Sequence, residues 1–188
     1  MIQMRKKFAA FIDRDGTINL DVDNLFKIED LVILPNVTEA ITLLNKFSIP
    51  AIVITNQPVI ARGLLTEEGV EEIHREIKKR LEKVGASIDG FYFCPHHPQA
   101  NLEKYKIICD CRKPGTALYK QAAKDFRIDL KKSYIIGDSF RDIDAGKALE
   151  STTISVYSNQ RRSQNLNSDY SVKNLYQAVR LILEKEKL

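Results

Sequence analysis

The stretch Phe8-Ala9-Ala10-Phe11-Ile12-Asp13-Arg14-Asp15-Gly16-Thr17 governs how the rest of the chain is read. Its five leading apolar residues have the pattern of a buried strand, and Asp15-Gly16 is turn chemistry that stops one. Alternate residues of an extended chain point the same way, so Asp13 and Asp15 converge at the strand's carboxyl end. Carboxylates crowded there call for a cation, a shared proton or a phosphate with its metal. A solvated Asp-x-Asp-Gly turn explains the same residues without chemistry. The stretch alone leaves both open.

Outward from it, apolar runs alternate with helical patterns. Leu31-Val32-Ile33-Leu34 is an apolar run, followed by Pro35 and Asn36. Asn36 with Glu39 resembles a capping box, and Val37, Ala40, Ile41, Leu44 and Phe47 share one helical stripe. Residues 51–55 read as a second buried strand. Thr66 caps a helix whose first turn holds Glu67 and Glu68. Its core face is Val70, Ile73, Ile77, Leu81 and Val84, and Gly85 ends it. A short strand follows at 91–93, then an irregular stretch over 94–114. Helix is expected over 117–126 and 141–149, and strand over 133–137 and 152–156. A loop over 158–169 precedes a tail with Leu175, Val179 and Ile182 at helical spacing. Such alternation predicts an α/β, Rossmann-like, three-layer fold with a mainly parallel sheet covered on both faces.

Open sheets of this kind bind ligands beyond the carboxyl ends of their strands. Three predicted strands end in polar residues: Asp13, Thr55-Asn56 and Gly137-Asp138. Parallel pairing gathers these groups at one edge, which favours chemistry over a solvated turn at Asp13 and Asp15.

Composition narrows the class further. The 188 residues are 44% hydrophobic and 29% charged, ordinary for a globular protein, and suggest a single domain over 1–188. The net charge of +4 comes from bases interleaved with acids, without the basic and aromatic stripe of a nucleic-acid binder. No apolar segment reaches membrane-spanning length. Arg5, Lys6 and Lys7 precede apolar residues as in a signal peptide. The apolar stretch is short, however, and runs into Asp13 with no small-residue cleavage site. The expectation is a cytoplasmic protein, monomeric, with no nucleic-acid or membrane partner.

All three cysteines fall in one segment: Cys94-Pro95-His96-His97-Pro98, then Cys109-Asp110-Cys111. A Cys-x-His pair and a Cys-x-Cys pair together offer four ligands for tetrahedral Zn²⁺. A loop this long without regular structure needs a staple, and a metal supplies one. The odd cysteine count argues against a disulfide framework; reduced surface thiols are the bland alternative.

Asp13 to Thr17 (D-x-D-G-T), Thr55, Lys113, and Gly137-Asp138 followed by Asp142 resemble, in order and spacing, the four motifs of the haloacid dehalogenase superfamily of phosphotransferases. The resemblance implies that Asp13 is a nucleophile forming an aspartyl-phosphate and that Asp15 is the acid/base. It implies Mg²⁺ held by the carboxylates of Asp13 and Asp138 with the backbone carbonyl of Asp15. Thr55 and neighbouring groups, Asn56 among them, would hold the substrate's phosphoryl oxygens, and Lys113 would neutralise charge. Asp142, in the first turn of a helix, counts as support rather than a ligand.

The segments C-P-H-H-P and C-D-C-R-K-P, with Thr55-Asn56-Gln57-Pro58-Val59-Ile60-Ala61-Arg62-Gly63, look like the D-glycero-D-manno-heptose 1,7-bisphosphate phosphatases and their relatives. That likeness selects Cys94, His96, Cys109 and Cys111 as the zinc ligands, since the family motif uses the histidine two after the cysteine. It implies a structural zinc loop over about 94–113 in place of a separate cap domain, and Arg112 presented to the substrate. The implied reaction is Mg²⁺-dependent hydrolysis of a phosphorylated sugar, the C7 phosphate of the heptose bisphosphate. The rivals are a histidinol-phosphate phosphatase and a non-catalytic zinc-stapled binding domain. Departures from the family pattern lie on the rim: Pro58-Val59, residues 20–25, Gly115-Thr116-Ala117, and Ser139 where some relatives carry lysine.

Overall fold

The computed structural model of the chain describes residues 7–157 and 166–188. Strands β1 (Ala10–Ile12), β2 (Ala51–Asn56), β3 (Gly90–Cys94), β4 (Tyr134–Gly137), β5 (Thr152–Val156) and β6 (Tyr170–Val172) form one sheet. Its order is β3-β2-β1-β4-β5-β6, and every neighbouring pair is parallel. In this doubly wound order the chain leaves neighbouring central strands towards opposite sides, and a crevice opens at their carboxyl ends. Here the crevice lies beyond β1 and β4.

Strand β1 is buried along its whole length. Ala10 and Ile12 pack with helices α1 (Val37–Lys46), α3 (Glu67–Glu82) and α6 (Leu175–Lys185) on one face. Ala9 and Phe11 pack with α4 (Ala117–Phe126) and α5 (Phe140–Ala148) on the other. A strand buried on both faces reads as an unbroken apolar run.

The expected helices form, with local differences. Thr66 caps α3 by accepting from the Gly69 N–H at 3.1 Å. Asn36 does not cap α1: it stands at φ 64° and its side chain accepts no hydrogen bond from the helix, so there is no capping box. The apolar stripe of Val37, Ala40, Ile41 and Leu44 holds the helix by burial instead. Val84 lies beyond the end of α3 and is 59% exposed, so it is not core. Residues 31–34 form no strand; Ile33 makes only an isolated bridge to Asn19. A short helix α2 (Pro58–Ala61) and the edge strand β6 are additional. Residues 158–165 of the expected loop, and Arg5 and Lys6, lie outside the described residues; 166–169 carry neither helix nor strand. Between β3 and α4 the chain makes an irregular loop with one 3-10 turn, Glu103–Tyr105. No helix among the described residues is long and apolar enough to cross a membrane.

Candidate active site

Asp13 follows β1 directly, and its amide donates to the carbonyl of Ile136 on β4 at 2.9 Å. The next turn folds back on itself, with the Arg14 carbonyl accepting from the amides of Ile18 and Asn19 at 2.8 and 3.1 Å. Gly16 has φ +80°, and a Cβ there would lie 2.2 Å from Oδ2 of Asp138. The missing side chain therefore lets the β1 turn press against the acid that follows β4.

Lys113 reaches this point from the irregular loop. Its buried ammonium donates to Oδ1 of Asp13 at 2.8 Å, Oδ1 of Asp142 at 2.6 Å and the Ile54 carbonyl at 2.8 Å. Asn56, at the end of β2, fixes the lysine's backbone: Oδ1 accepts from the Lys113 N–H at 2.9 Å, and Nδ2 donates to its carbonyl at 3.1 Å. Asp142 is fully buried on α5, and Ser139 Oγ donates to its Oδ2 at 2.7 Å. Sequence alone undervalues Asp142, because its ion pair with Lys113 depends on two elements meeting.

Carboxylate oxygens of Asp13, Asp138 and Asp142 lie within 4.8 Å of one another. Burial, then the negative charges of Asp142 and Asp138, raise the Asp13 carboxyl to about 8, with Lys113 opposing. The Lys113 ammonium is held well above its ordinary value: burial opposes this, but the Asp13 and Asp142 charges prevail. Crowded hard oxygens with excess negative charge fit a divalent cation. The Asp15 carboxylate stands apart from that cluster. Arg14 donates to its Oδ1 through Nε and Nη2 at 3.2 and 3.0 Å, Asn19 Nδ2 at 2.9 Å, and Gln57 Nε2 reaches Oδ2 at 2.9 Å. Burial works to raise Asp15, yet the Arg14 charge and these bonds hold it below the usual carboxylate range.

An open cleft of about 220 Å³ is lined by Asp13, Asp15, Thr55, Asn56, Arg112, Lys113 and Asp138, so the residues expected at the reaction centre meet in one place. Thr55 is buried at its floor, and its Oγ1 accepts from Gln57 Nε2 at 2.8 Å. The cleft also holds residues that sequence reasoning did not assign: Arg62, Arg141 and His97. Arg112 donates to the His96 carbonyl at 3.2 Å, and Arg62 bonds Oδ1 of Asn24. Burial together with the nearby Arg141 and Arg62 charges lowers the Arg112 guanidinium. Burial, Arg112 and Arg62 likewise lower His97. Cationic groups thus crowd one wall, the condition an anionic ligand relieves.

Beside this wall, Sγ of Cys94, Cys109 and Cys111 and Nδ1 of His96 converge within 4.8 Å of one another. The Cys109–Cys111 and Cys94–Cys111 sulfurs are 2.9 and 3.1 Å apart, and His96 Nδ1 is 3.3 Å from both Cys109 and Cys111. Three sulfurs and one imidazole in a closed cluster are the donor set of a four-coordinate Zn²⁺ site. His97 is excluded: its Nδ1 accepts from the Gln99 N–H at 3.0 Å and it lines the cleft.

The doubly wound sheet and the acid–lysine centre at its crevice define a hydrolase of the haloacid dehalogenase class, and a HAD-hydrolase-like family model matches residues 110–178. The D-glycero-β-D-manno-heptose-1,7-bisphosphate 7-phosphatase of Photorhabdus laumondii is 40% identical over 137 residues, 73% of each chain. With that likeness, the chain belongs to the D-glycero-β-D-manno-heptose-1,7-bisphosphate 7-phosphatase family and is a phosphatase. The relative so named in Escherichia coli K12 is 38% identical over 140 residues, covering 74% of this chain and 73% of its own. A crystal structure of D,D-heptose 1,7-bisphosphate phosphatase from B. bronchiseptica, complexed with magnesium and phosphate, matches with TM-score 0.83 and 26% identity. It covers 95% of this chain and 99% of that one. The reading of the chain as a non-catalytic binding domain is thereby set aside.

Proposed function

We propose that the protein, acting as one phosphatase domain, hydrolyses the 7-phosphate of D-glycero-β-D-manno-heptose 1,7-bisphosphate. The observation that carries this reading is one cleft holding both the Asp13–Lys113 centre and a wall of three guanidiniums, Arg62, Arg112 and Arg141. A substrate with a single phosphate needs only the first. A bisphosphate gives the wall its partner, because a planar guanidinium grips a phosphate through paired hydrogen bonds. The names of the relatives supply the sugar and its anomer.

A carboxylate oxygen of Asp13 attacks phosphorus, and the bond from phosphorus to the sugar oxygen breaks, leaving an aspartyl-phosphate. Asp15, ionised in the free chain, takes up a proton as the anionic phosphate binds beside it and gives that proton to the departing oxygen. It then takes one from a water that attacks the same phosphorus and releases inorganic phosphate and free Asp13. Lys113 balances the charge shared by Asp13 and the phosphoryl group, and Asp142 keeps its ammonium in place. Thr55 faces the phosphoryl oxygens, while Asn56 serves mainly by clamping the Lys113 backbone. Mg²⁺, held by the carboxylates of Asp13 and Asp138 and the Asp15 carbonyl, would supply Lewis-acid neutralisation of the phosphoryl charge. Zn²⁺ would be held by Cys94, His96, Cys109 and Cys111, a full set of four protein ligands, and would serve as a structural staple of the loop. Thiols kept as metal ligands suit the reducing cytoplasm.

Both anomers of heptose 1,7-bisphosphate, histidinol phosphate and a heptose 7-monophosphate should be compared with Mg²⁺ present. The β-bisphosphate is expected to give the highest kcat/KM, and Asp13→Asn to abolish turnover without unfolding the chain. Arg112→Ala should lower kcat/KM for the bisphosphate by about 10–100-fold, the range of a charged hydrogen-bond pair, and change the monophosphate by no more than about threefold. Preference for histidinol phosphate would overturn the substrate assignment.

A further inference from the structure

We propose that His74, on the buried face of α3, is a positioning residue for the reaction: through Arg14 it fixes the carboxylate of Asp15. This rests on the assignment of Asp15 as acid/base. Arg14 is 1% exposed, although it stands between two carboxylates at the mouth of a cleft. A buried guanidinium must find acceptors for its N–H groups or bear the full cost of desolvation. Its Nε and Nη2 go to Asp15, and Nη2 also donates to Oε1 of Gln57 at 2.9 Å. The same Gln57 amide, oriented by that bond, donates to the other Asp15 oxygen. One guanidinium therefore organises donors on both oxygens of the acid/base.

The remaining terminal nitrogen, Nη1, meets Nε2 of His74 at 3.3 Å. A guanidinium can only donate, so Nε2 accepts and the ring proton is assigned to Nδ1. His74 is 5% exposed, stacked on Phe91 at 4.6 Å and 18°, and edge-on to Phe93 at 5.7 Å. Burial first, then the Arg14 charge, lower its proton affinity to about 3, so the acceptor persists at neutral pH. An aliphatic side chain would fill the same place between α3 and β3. What a histidine adds is the acceptor, and its rings' contacts with β3 hold that acceptor still. Without it, Nη1 is buried unpaired, and Arg14 must turn away from Asp15 to satisfy it.

His74→Phe keeps the stacked ring and removes the acceptor; His74→Gln gives up the ring and retains an acceptor. Both should be assayed on whichever phosphomonoester the wild-type enzyme turns over fastest, so that a wrong sugar assignment leaves the test intact. His74→Phe is expected to lower kcat by about tenfold or more with KM within about threefold, while His74→Gln recovers most of the loss. Added to Asp15→Asn, His74→Phe should change the residual rate less than about twofold, because a residue acting through Asp15 has nothing left to position. Thermal melts of each variant report any packing defect separately. An unchanged kcat in His74→Phe would overturn the proposal. So would losses in the two His74 variants that follow melting temperature alone, or a full additional loss in the Asp15→Asn background.

Discussion

At the scale of single residues, two glycines with nearly the same backbone separate strain from function. Gly16 has φ +80° and Gly85 φ +81°, so an alanine at either meets the left-handed penalty of about 1 kcal/mol. Nothing lies within 4 Å of a Cβ on Gly85, whereas one on Gly16 would meet Asp138 at 2.2 Å. Both substitutions should lower the melting temperature by about 2–4 °C, the shift expected for that penalty in a chain of this size. Only Gly16→Ala should also push Asp138 aside, reducing kcat by about tenfold or more and raising the Mg²⁺ concentration for half-maximal rate. Equal activity in the two variants would show that the close approach to Asp138 is dispensable. In the sequence, Asp15-Gly16 is legible as a turn, and Asp13, Thr55, Lys113 and Asp138 as motif positions. Asp138 as the neighbour that requires a glycine is not legible, nor is His74 as the partner of Arg14. Both facts depend on groups far apart in the chain being brought into contact by the sheet.

At the scale of elements, the loop over 94–113 joins two functions. Cys94 ends β3, Cys111 stands two residues before Lys113, and Arg112 lies between them. A metal on the four donors therefore sets where both cationic groups emerge. Burial, then hydrogen bonding with the neighbouring thiols, raises Cys94 and Cys111, so metal binding there must displace protons and weakens as pH falls. Elemental analysis should find about one zinc per chain, as a four-ligand site requires, and Cys109→Ser should lose most of it. That variant should melt several degrees lower and lose activity through misplaced Arg112 and Lys113, while metal-free protein with unchanged melting would sink the assignment. The close Cys-x-His and Cys-x-Cys pairs make a metal loop legible in the sequence, while the choice of His96 over His97 comes from the family resemblance. Helix ends were harder. Thr66 caps α3 as its sequence suggests, but Asn36 takes a left-handed conformation that directs its side chain away from capping α1. Strand β6 is not legible because its alternation, Tyr170-Ser171-Val172, spans only three residues, short of the four to eight that mark a strand.

At the scale of the whole molecule, alternating strand and helix patterns foretell a parallel sheet, but not that β1 lies between β2 and β4. That order is set by which faces pack together, and it brings Asp13, Asp138 and Asp142 onto one spot. The resulting repulsion makes global stability a report on the site. With its proton affinity raised to about 8, Asp13 keeps a proton in the folded chain at pH values where the unfolded chain, near 3.8, has released it. Stability from that proton is present at low pH and is lost as pH rises through the folded value. His74, lowered to about 3, acts in the opposite sense: the unfolded chain takes up its proton below about 6.5, so folded stability falls on acidification. The His74 contribution does not involve Mg²⁺ and cancels when melts with and without the ion are compared. Mg²⁺ should therefore raise the melting temperature little near pH 5, where it must displace the Asp13 proton, and more near pH 8, where it relieves exposed repulsion. Lys113 stays charged across that range and Asp15 stays ionised, so neither adds a pH-dependent part. Asp13→Asn should shrink the Mg²⁺-induced shift and remove its rise between the two pH values. A shift equal at both in the wild-type protein would mean that the ion does not sit against Asp13.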